Sequence, residues 1–283
     1  MKKLIVFLGL FITIGLFTGC TSTTHDSSKL TVAVSIVPEA TFVSEVAGDL
    51  VNIVTIIPPG YSPENYEPSA RMMEDLENAD VYFAIGVPTE SVTILPHLTT
   101  IHTIHLEDVV SETYPDRMFS EDSRDPHIWL SIKRVVLMVE TIADELSLLD
   151  PANASTYQEN SDHFITELEN VDSLLQTAFS SVTQNKFIVF HPSYGYFADE
   201  YGLDMYSLEE EGKEATPQHL QDLVDMAKEL GITTVFYQAE IDSSQVEAFA
   251  EEINASMVEL DPLSSDYLAN ILEMANHILE ALS

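Results

Sequence analysis

Residues 151–181 (PANASTYQENSDHFITELENVDSLLQTAFSS) decide the fold, because they have no Gly and no Pro after their first position. Their apolar residues recur at three- and four-residue spacing: Tyr157, Phe164, Leu168, Val171, Leu175 and Ala178. This stripe predicts a single helix of about 30 residues, or about 45 Å, with Asp150 as its cap and Pro151 as its first residue. A coiled-coil or bundle helix would show the same stripe.

The segments on either side of this helix share one pattern. The first has apolar strands at 30–37, 51–57 and 81–85, a weaker one at 101–106, and helices ending at 48 and spanning 69–78 and 131–149. The second has strands at 186–190, 203–208, 233–237 and 256–260, with helices at 194–201, 217–230, 243–254 and 265–282. Short strands that alternate with helices predict βαβ units and parallel sheets.

The fold class that we predict is therefore α/β, with two similar lobes joined by one long, rigid helix. The long helix lies between the two α/β segments of the chain, which favours a helix that acts as a spine and contacts both lobes. The predicted boundaries are 30–150 for the N-terminal lobe, 151–183 for the helix and 184–283 for the C-terminal lobe. With such a spine we expect small tilts of the lobes and not a large hinge closure.

The N-terminus has the pattern of an export signal. Lys2 and Lys3 precede an uncharged run at 4–17, which is shorter than a membrane-spanning helix, and small residues lead to Cys20. The segment resembles a lipoprotein signal, which implies a signal peptide at 1–19, lipidation of Cys20 and a polar tether at 20–29. Cys20 is the only cysteine, so the alternative is a signal peptide with an unpaired thiol.

The charge of the chain limits its partners. The formal net charge is −36, which argues against nucleic acid and against anionic lipid headgroups as ligands. Attraction of cations, a salty habitat and plain solubility all fit this charge. The charge therefore does not by itself indicate metal binding.

Four segments lie at predicted strand ends or in the loops beyond them, where open α/β sheets bind ligands. They are 60–69 (GYSPENYEPS), 125–129 (DPHIW), 191–195 (HPSYG) and 261–263 (DPL). A His or Asp that precedes Pro is held in a stiff turn. Two imidazoles and two carboxylates from these segments would form a closed site for Zn²⁺, Mn²⁺ or Fe²⁺.

In these motifs the chain resembles the substrate-binding lipoproteins of zinc and manganese ABC transporters. That family has a Gly-x-Asp-Pro-His-x-Tyr-Glu-Pro loop, a Pro-His-aromatic segment, a His-Pro-x-x-Gly-Tyr-Phe run and a late Asp-Pro-Leu. Residues 60–68, 125–129, 191–199, 211–214 and 261–263 match in the same order, and the resemblance covers nearly all of the chain after the signal. The family's fold of two α/β lobes joined by one long helix agrees with the predicted spine.

The resemblance implies that Glu64, His127, His191 and Asp261 are the metal ligands. Glu64 stands where the family usually has His, so a water in its place is the alternative, and the nearby Glu67 is the main competitor. Residues 107–124 contain no His, so the His-rich loop of many zinc-specific members is absent. The expected ligand is Zn²⁺ or Mn²⁺, and Fe²⁺ also suits these donors.

The function that the resemblance implies is metal capture outside the cell and delivery to a membrane permease driven by a cytoplasmic ATPase. The protein would be lipid-anchored to the outer face of the cell membrane and would not be an enzyme. The alternatives are a metal-dependent hydrolase, with Glu67 or Glu209 as its base, and a siderophore- or cobalamin-binding lipoprotein. The sequence contains no HExxH motif or nucleophile elbow. An adhesin role is compatible with either kind of binding protein.

Overall fold

The computed structural model describes residues 27–98, 100–210, 213, 215–240 and 244–283. The predicted signal peptide, the lipidation site Cys20, most of the tether and residues 211, 212 and 214 lie outside them. Within the described part of the chain, no helix combines the length and the apolar character that crossing a bilayer requires.

The first sheet has four parallel strands in the order β2-β1-β3-β4. The strands are β1 (Leu30–Val34), β2 (Val51–Thr55), β3 (Val81–Ala84) and β4 (Thr103–His105). A short antiparallel hairpin follows, formed by β5 (Met118–Ser120) and β6 (Ser123–Arg124). β3 is fully buried, as expected for the interior of a parallel sheet with both faces covered.

The second sheet repeats the first. Its parallel strands are β7 (Lys186–Val189), β8 (Asp204–Ser207), β9 (Thr234–Tyr237) and β10 (Ser256–Glu259), in the order β10-β9-β7-β8. When the strands of each sheet are numbered 1 to 4 along the chain, the first sheet has the order 2-1-3-4. The second sheet has the same order when it is read from β8 to β10. The predicted α/β fold with two similar lobes is therefore confirmed, while the exact lobe boundaries stay a prediction.

Nine α-helices accompany these strands within the described residues. They are α1 (Val37–Ala47), α2 (Ala70–Glu77), α3 (Leu106–Thr113), α4 (Ile132–Leu149), α5 (Ala154–Phe179), α6 (Gly195–Tyr201), α7 (Pro217–Leu230), α8 (Ser244–Ile253) and α9 (Tyr267–Ala281). α7 begins as the sequence predicts, because the Thr216 side chain accepts a hydrogen bond from the His219 amide and Pro217 follows it. α3 and the hairpin were not predicted.

Helix α5 contacts both lobes. In its first half, Asn160 donates to the carbonyl of Val46 in α1 at 3.0 Å. In its last third, Asp172 accepts a hydrogen bond from the Tyr201 hydroxyl of α6, also at 3.0 Å. The buried face of α5 belongs to one hydrophobic core that includes residues from both sheets. The predicted long helix therefore acts as a spine between the lobes.

The predicted start of this helix is wrong. α5 begins at Ala154 and has 26 residues, which corresponds to about 39 Å. The Asp150 carboxylate accepts hydrogen bonds from Asn153 Nδ2 at 2.6 Å and from the Tyr157 hydroxyl at 3.0 Å, so it stabilises the turn before the helix. The apolar stripe ends at buried Phe179, while Ala178 is only half-buried.

Candidate metal centre

Three of the four predicted ligands meet between the two sheets. Donor atoms of Glu64, His127 and His191 all lie within 4.8 Å of one another. The Glu64 Oε1 atom is 3.8 Å from His127 Nε2 and 3.7 Å from His191 Nε2. The centroids of the two imidazole rings are 5.2 Å apart. One carboxylate oxygen and two imidazole nitrogens therefore face a common point.

His127 is positioned by its own turn. It directly precedes a short 3₁₀ helix (Ile128–Leu130) and is 2% exposed. The Asp125 Oδ1 atom accepts from the His127 amide at 3.0 Å and lies 2.7 Å from its Nδ1. A carboxylate bonded to Nδ1 fixes the ring and leaves Nε2 as the donor for a metal.

His191 has an equivalent support from a neighbouring strand. The parallel register pairs Val189 of β7 with Ser207 of β8. Extended by two residues past both strand ends, this register brings Glu209 beside His191, and Glu209 Oε2 lies 2.6 Å from His191 Nδ1. Each histidine thus has a carboxylate on Nδ1 and presents Nε2 to Glu64.

The electrostatics of the site favour a cation. His191 Nε2 is buried and has no hydrogen-bond partner. Burial lowers the pKa of His191, but pairing with Glu209 and Glu64 outweighs burial and raises it to about 9. Burial acts to raise the pKa of Glu64, yet the two histidines outweigh it and lower that pKa. In the absence of metal, a proton therefore supplies the positive charge that these carboxylates stabilise.

The loop that carries Glu64 is fixed by Thr89. The amide and the hydroxyl of Thr89 both donate to the Pro63 carbonyl, at 3.1 and 2.7 Å. The Thr89 hydroxyl oxygen in turn accepts from the Tyr66 amide at 3.1 Å. These bonds hold the backbone on both sides of Glu64, whose side chain is 31% exposed.

A buried carboxyl group next to Thr89 holds this residue in place. Glu90, the residue after Thr89, accepts from the amides of Ile85 and Gly86 at 2.9 and 2.7 Å. Burial raises the pKa of Glu90 to about 7. These bonds connect Thr89 and the Glu64 loop to the carboxyl end of β3. Ligands bind at this end of the strands in open α/β sheets.

The space between the three donors is small. Its volume is about 10 Å³, close to that of a single water site. Trp129, Gln238 and Pro262 are among the residues that line it. Sites for organic ligands usually have a few hundred Å³. The space between the three donors is thus of a size for a single ion and is too small for a siderophore or a cobalamin.

The other two candidates lie outside this group. Asp261 is exposed, and its Oδ1 accepts from the Leu263 amide at 2.9 Å. The next residue, Pro262, accepts from Trp129 Nε1 at 2.8 Å, so the segment is nevertheless held against the His127 turn. Glu67 is also exposed. The role of Asp261 as fourth ligand stays a prediction.

Neither of the two supporting carboxylates is predicted from the sequence as a partner of a histidine. Asp125 was noticed only as part of the DPHIW segment, and Glu209 only as the base of a hydrolase. The signal for Asp125 is its position two residues before His127. Glu209 lies two residues past the end of β8, just as His191 lies two residues past the end of β7. This signal can be used only when the pairing of β7 with β8 is known.

Fold and site together define a class: a two-lobed α/β binding protein with imidazole and carboxylate groups between its lobes that could hold a metal ion. The chain belongs to the family described as zinc-uptake complex component A, periplasmic, whose model matches residues 32–282. Two curated relatives are similar over most of their length. The iron ABC transporter substrate-binding lipoprotein MtsA of Streptococcus pyogenes is 26% identical, with 89% of this chain and 86% of MtsA covered. The manganese-binding lipoprotein MntA of Halalkalibacterium halodurans is 25% identical, with 86% and 84% covered.

Solved structures agree with this assignment. The zinc-bound crystal structure of a ZnuA variant lacking residues 138–173 of that protein matches with a TM-score of 0.84 and 36% identity. The match covers 90% of this chain and 98% of the other. The resemblance stated from the sequence motifs is thereby confirmed.

Proposed function

We propose that the protein captures one divalent transition-metal ion outside the cell and delivers it to the permease of an ABC transporter. The observation that carries this proposal is the convergence of His127 Nε2, His191 Nε2 and Glu64 Oε1. The family match and the names of the relatives support the transport role.

The proposed ligands are Glu64, His127 and His191, with Asp261 or a water in the fourth position. Neutral imidazole and carboxylate donors suit Zn²⁺, Mn²⁺ and Fe²⁺. The relatives are named for iron and manganese, and the ZnuA structure holds zinc. We propose Zn²⁺ or Mn²⁺ as the cargo. Since the Irving–Williams order favours zinc at such a site, selection of manganese would depend on the supply of each metal.

The cellular setting follows from the same proposal. A lipid on Cys20 would anchor the protein to the outer face of the membrane, and residues 20–29 would connect that anchor to the first lobe. The relatives MtsA and MntA are both named as lipoproteins, which supports this arrangement. The division into lobes at 30–150 and 184–283, joined by the helix within 151–183, belongs to the same proposal.

The contacts of the supporting carboxylates argue against the hydrolase alternative. A catalytic metal needs an open ligand position and a nearby general base. Glu209 is engaged by His191 Nδ1, and Asp125 is engaged by His127. Glu67, the other candidate base, is exposed and outside the donor group.

Isothermal titration of metal-free protein with Zn²⁺ and, separately, with Mn²⁺ tests the proposal. We expect one ion per chain. The His127→Ala and His191→Ala variants should each lose this binding while they keep the far-ultraviolet circular dichroism of the wild type. A wild type that binds neither metal, or variants that bind like the wild type, would refute the proposal.

A further inference from the structure

Arg117 contacts both the carboxylate that supports His127 and helix α6. Its Nη1 lies 2.8 Å from both carboxylate oxygens of Asp199 in α6. Its Nε lies 3.5 Å from Asp125 Oδ2, on the side of that carboxylate opposite His127. α6 follows the His191 turn in the chain. Arg117 thus joins the carboxylate behind His127 to the helix that follows His191.

Asp125 depends on this arginine for a counter-charge. It is fully buried, and its Oδ1 is occupied by His127. Its Oδ2 is buried without a hydrogen bond. Among the described residues, Arg117 is the one Lys or Arg within 4.0 Å of this carboxylate. A buried carboxylate that loses its counter-charge is costly, and it relaxes by moving towards water or other partners.

The position of Arg117 is fixed on all sides. Its amide donates to the Tyr196 hydroxyl at 2.9 Å, and its carbonyl accepts from the Asp125 amide at 2.9 Å. Its side chain lies directly on Gly195, where an added Cβ would be only 2.1 Å from Nε. A Cβ at Gly195 would therefore displace the arginine side chain, which would strain or break its contacts to Asp125 and Asp199.

We infer that Arg117 is a positioning residue for metal binding: it holds Asp125 against His127 and fixes the separation of the two imidazoles. This inference rests on the proposed function. Without Arg117, Asp125 would lose its counter-charge and His127 its fixed ring orientation. Since partners of metal-ligating histidines usually contribute 10- to 100-fold in affinity, we expect an effect of about that size, mainly as faster metal release.

The test compares Arg117→Ala with a matched control, Arg124→Ala. Both arginines lie near the same hairpin, both side chains are 31% exposed, and each contacts two aspartates. Zn²⁺ release into excess chelator is followed by stopped flow, and the dissociation constant is measured by competition. Arg117→Ala should release metal about 10- to 100-fold faster, whereas Arg124→Ala should stay within about twofold of the wild type.

The visible spectrum of Co²⁺-loaded protein separates positioning from general destabilisation. Its d–d bands report the geometry of the donor atoms, so they should change in Arg117→Ala and remain in Arg124→Ala. Asp199→Asn, which removes the outer anchor, and Gly195→Ala, which displaces the arginine, should weaken binding in the same direction. They replace Arg117→Ala as the test if that variant does not fold.

Wild-type release rates and spectra in folded Arg117→Ala, or equal losses in Arg117→Ala and Arg124→Ala, would overturn the inference. If Arg117→Ala does not fold, wild-type behaviour of Asp199→Asn and Gly195→Ala would overturn it. Either result would leave the proposed function intact as long as the wild type binds metal. A wild type without metal binding would instead refute the proposed function itself.

Discussion

Two groups of donor atoms in this molecule are equally closely spaced but differ in their surroundings. Besides Glu64, His127 and His191, the side chains of His105, Glu107 and Asp108 also bring three donors within 4.8 Å of one another. We call them the interlobe group and the α3 group, respectively. In the interlobe group the donors come from three distant segments, and both histidines are buried.

Several donor atoms of the α3 group already have partners, although Glu107 Oε2 is buried without a hydrogen bond. His105 Nδ1 lies 3.0 Å from Glu107 Oε1, and Asp108 Oδ1 lies 3.5 Å from Arg124 Nη2. Glu107 and Asp108 occupy the first turn of α3, where acidic residues commonly stabilise the helix dipole. Asp108 is also 68% exposed. Closeness of donors is therefore not enough; the interlobe group also buries both of its histidines, whereas the α3 group is partly exposed and already contacts a cation.

The largest expected difference between the two groups is the effect of removing a histidine. Structural Zn²⁺ binding is worth about 10–16 kcal/mol over four ligands, so a single ligand contributes about 2.5–4 kcal/mol, which is on the order of 100-fold in affinity. His191→Ala should weaken Zn²⁺ binding by at least that factor. His105→Ala should leave the affinity within about twofold. Competition titrations against a calibrated chelator measure both.

The thermal stability of the metal-free variants serves as the control, since a misfolded His191→Ala would also fail to bind. Two stoichiometric sites in the wild type, or equal losses in the two variants, would remove the distinction between the groups.

The next effect is the pH dependence of the interlobe group. With the pKa of His191 raised to about 9, its proton must leave before the metal binds at any lower pH. Affinity should therefore rise with pH up to about 9, and this residue alone contributes about tenfold per pH unit below that value. Between pH 8 and pH 6 the Zn²⁺ affinity should fall by about 100-fold or more.

This range extends above the value near 6.5 that an ordinary histidine gives. Circular dichroism at both pH values shows that the protein stays folded. Calorimetry in buffers with different ionisation enthalpies counts the released protons, and we expect about one or more at pH 7. Equal affinities at pH 6 and pH 8 would contradict the assignment of His191.

A smaller effect concerns the supporting carboxylates. Glu209→Gln keeps the size of the side chain but removes the charge behind His191, so we expect Zn²⁺ binding to weaken by about 10- to 100-fold. Glu107→Gln makes the same change beside His105 and should have no measurable effect on affinity. Both variants are compared by metal competition at one pH. An unchanged affinity in Glu209→Gln would show that the Nδ1 partner contributes nothing to the site.

Much of the fold could be predicted from the sequence because its strong signals are local. The apolar runs of the eight parallel strands and the stripe of α5 appear without any knowledge of tertiary contacts. α3 has only eight residues, and the strands β5 and β6 have three and two, so none of them shows a readable period. The predicted start of α5 is wrong because an Asp such as Asp150 can either cap a helix or stabilise a turn with its side chain. The sequence does not distinguish these two roles.

The candidate site was only partly predictable. His127 and His191 stand out because one follows and the other precedes a proline near a strand end, and Glu64 came from its place in a family motif. Glu209 and Arg117 reach the site through strand register and through contact between the lobes, which no local spacing shows. The sequence also gives no measure of burial or of which donor atoms already have partners, and these together separate the interlobe group from the α3 group.

An anomalous difference map from crystals of the Zn²⁺-loaded protein, recorded at the zinc edge, tests the central claim most directly. The account predicts one strong peak per chain, within bonding distance of His127 Nε2, His191 Nε2 and Glu64. The ordinary electron density from the same crystals shows whether Asp261 or a water completes the coordination. A main peak at His105 and Asp108, or no peak between the two imidazoles, would contradict the account.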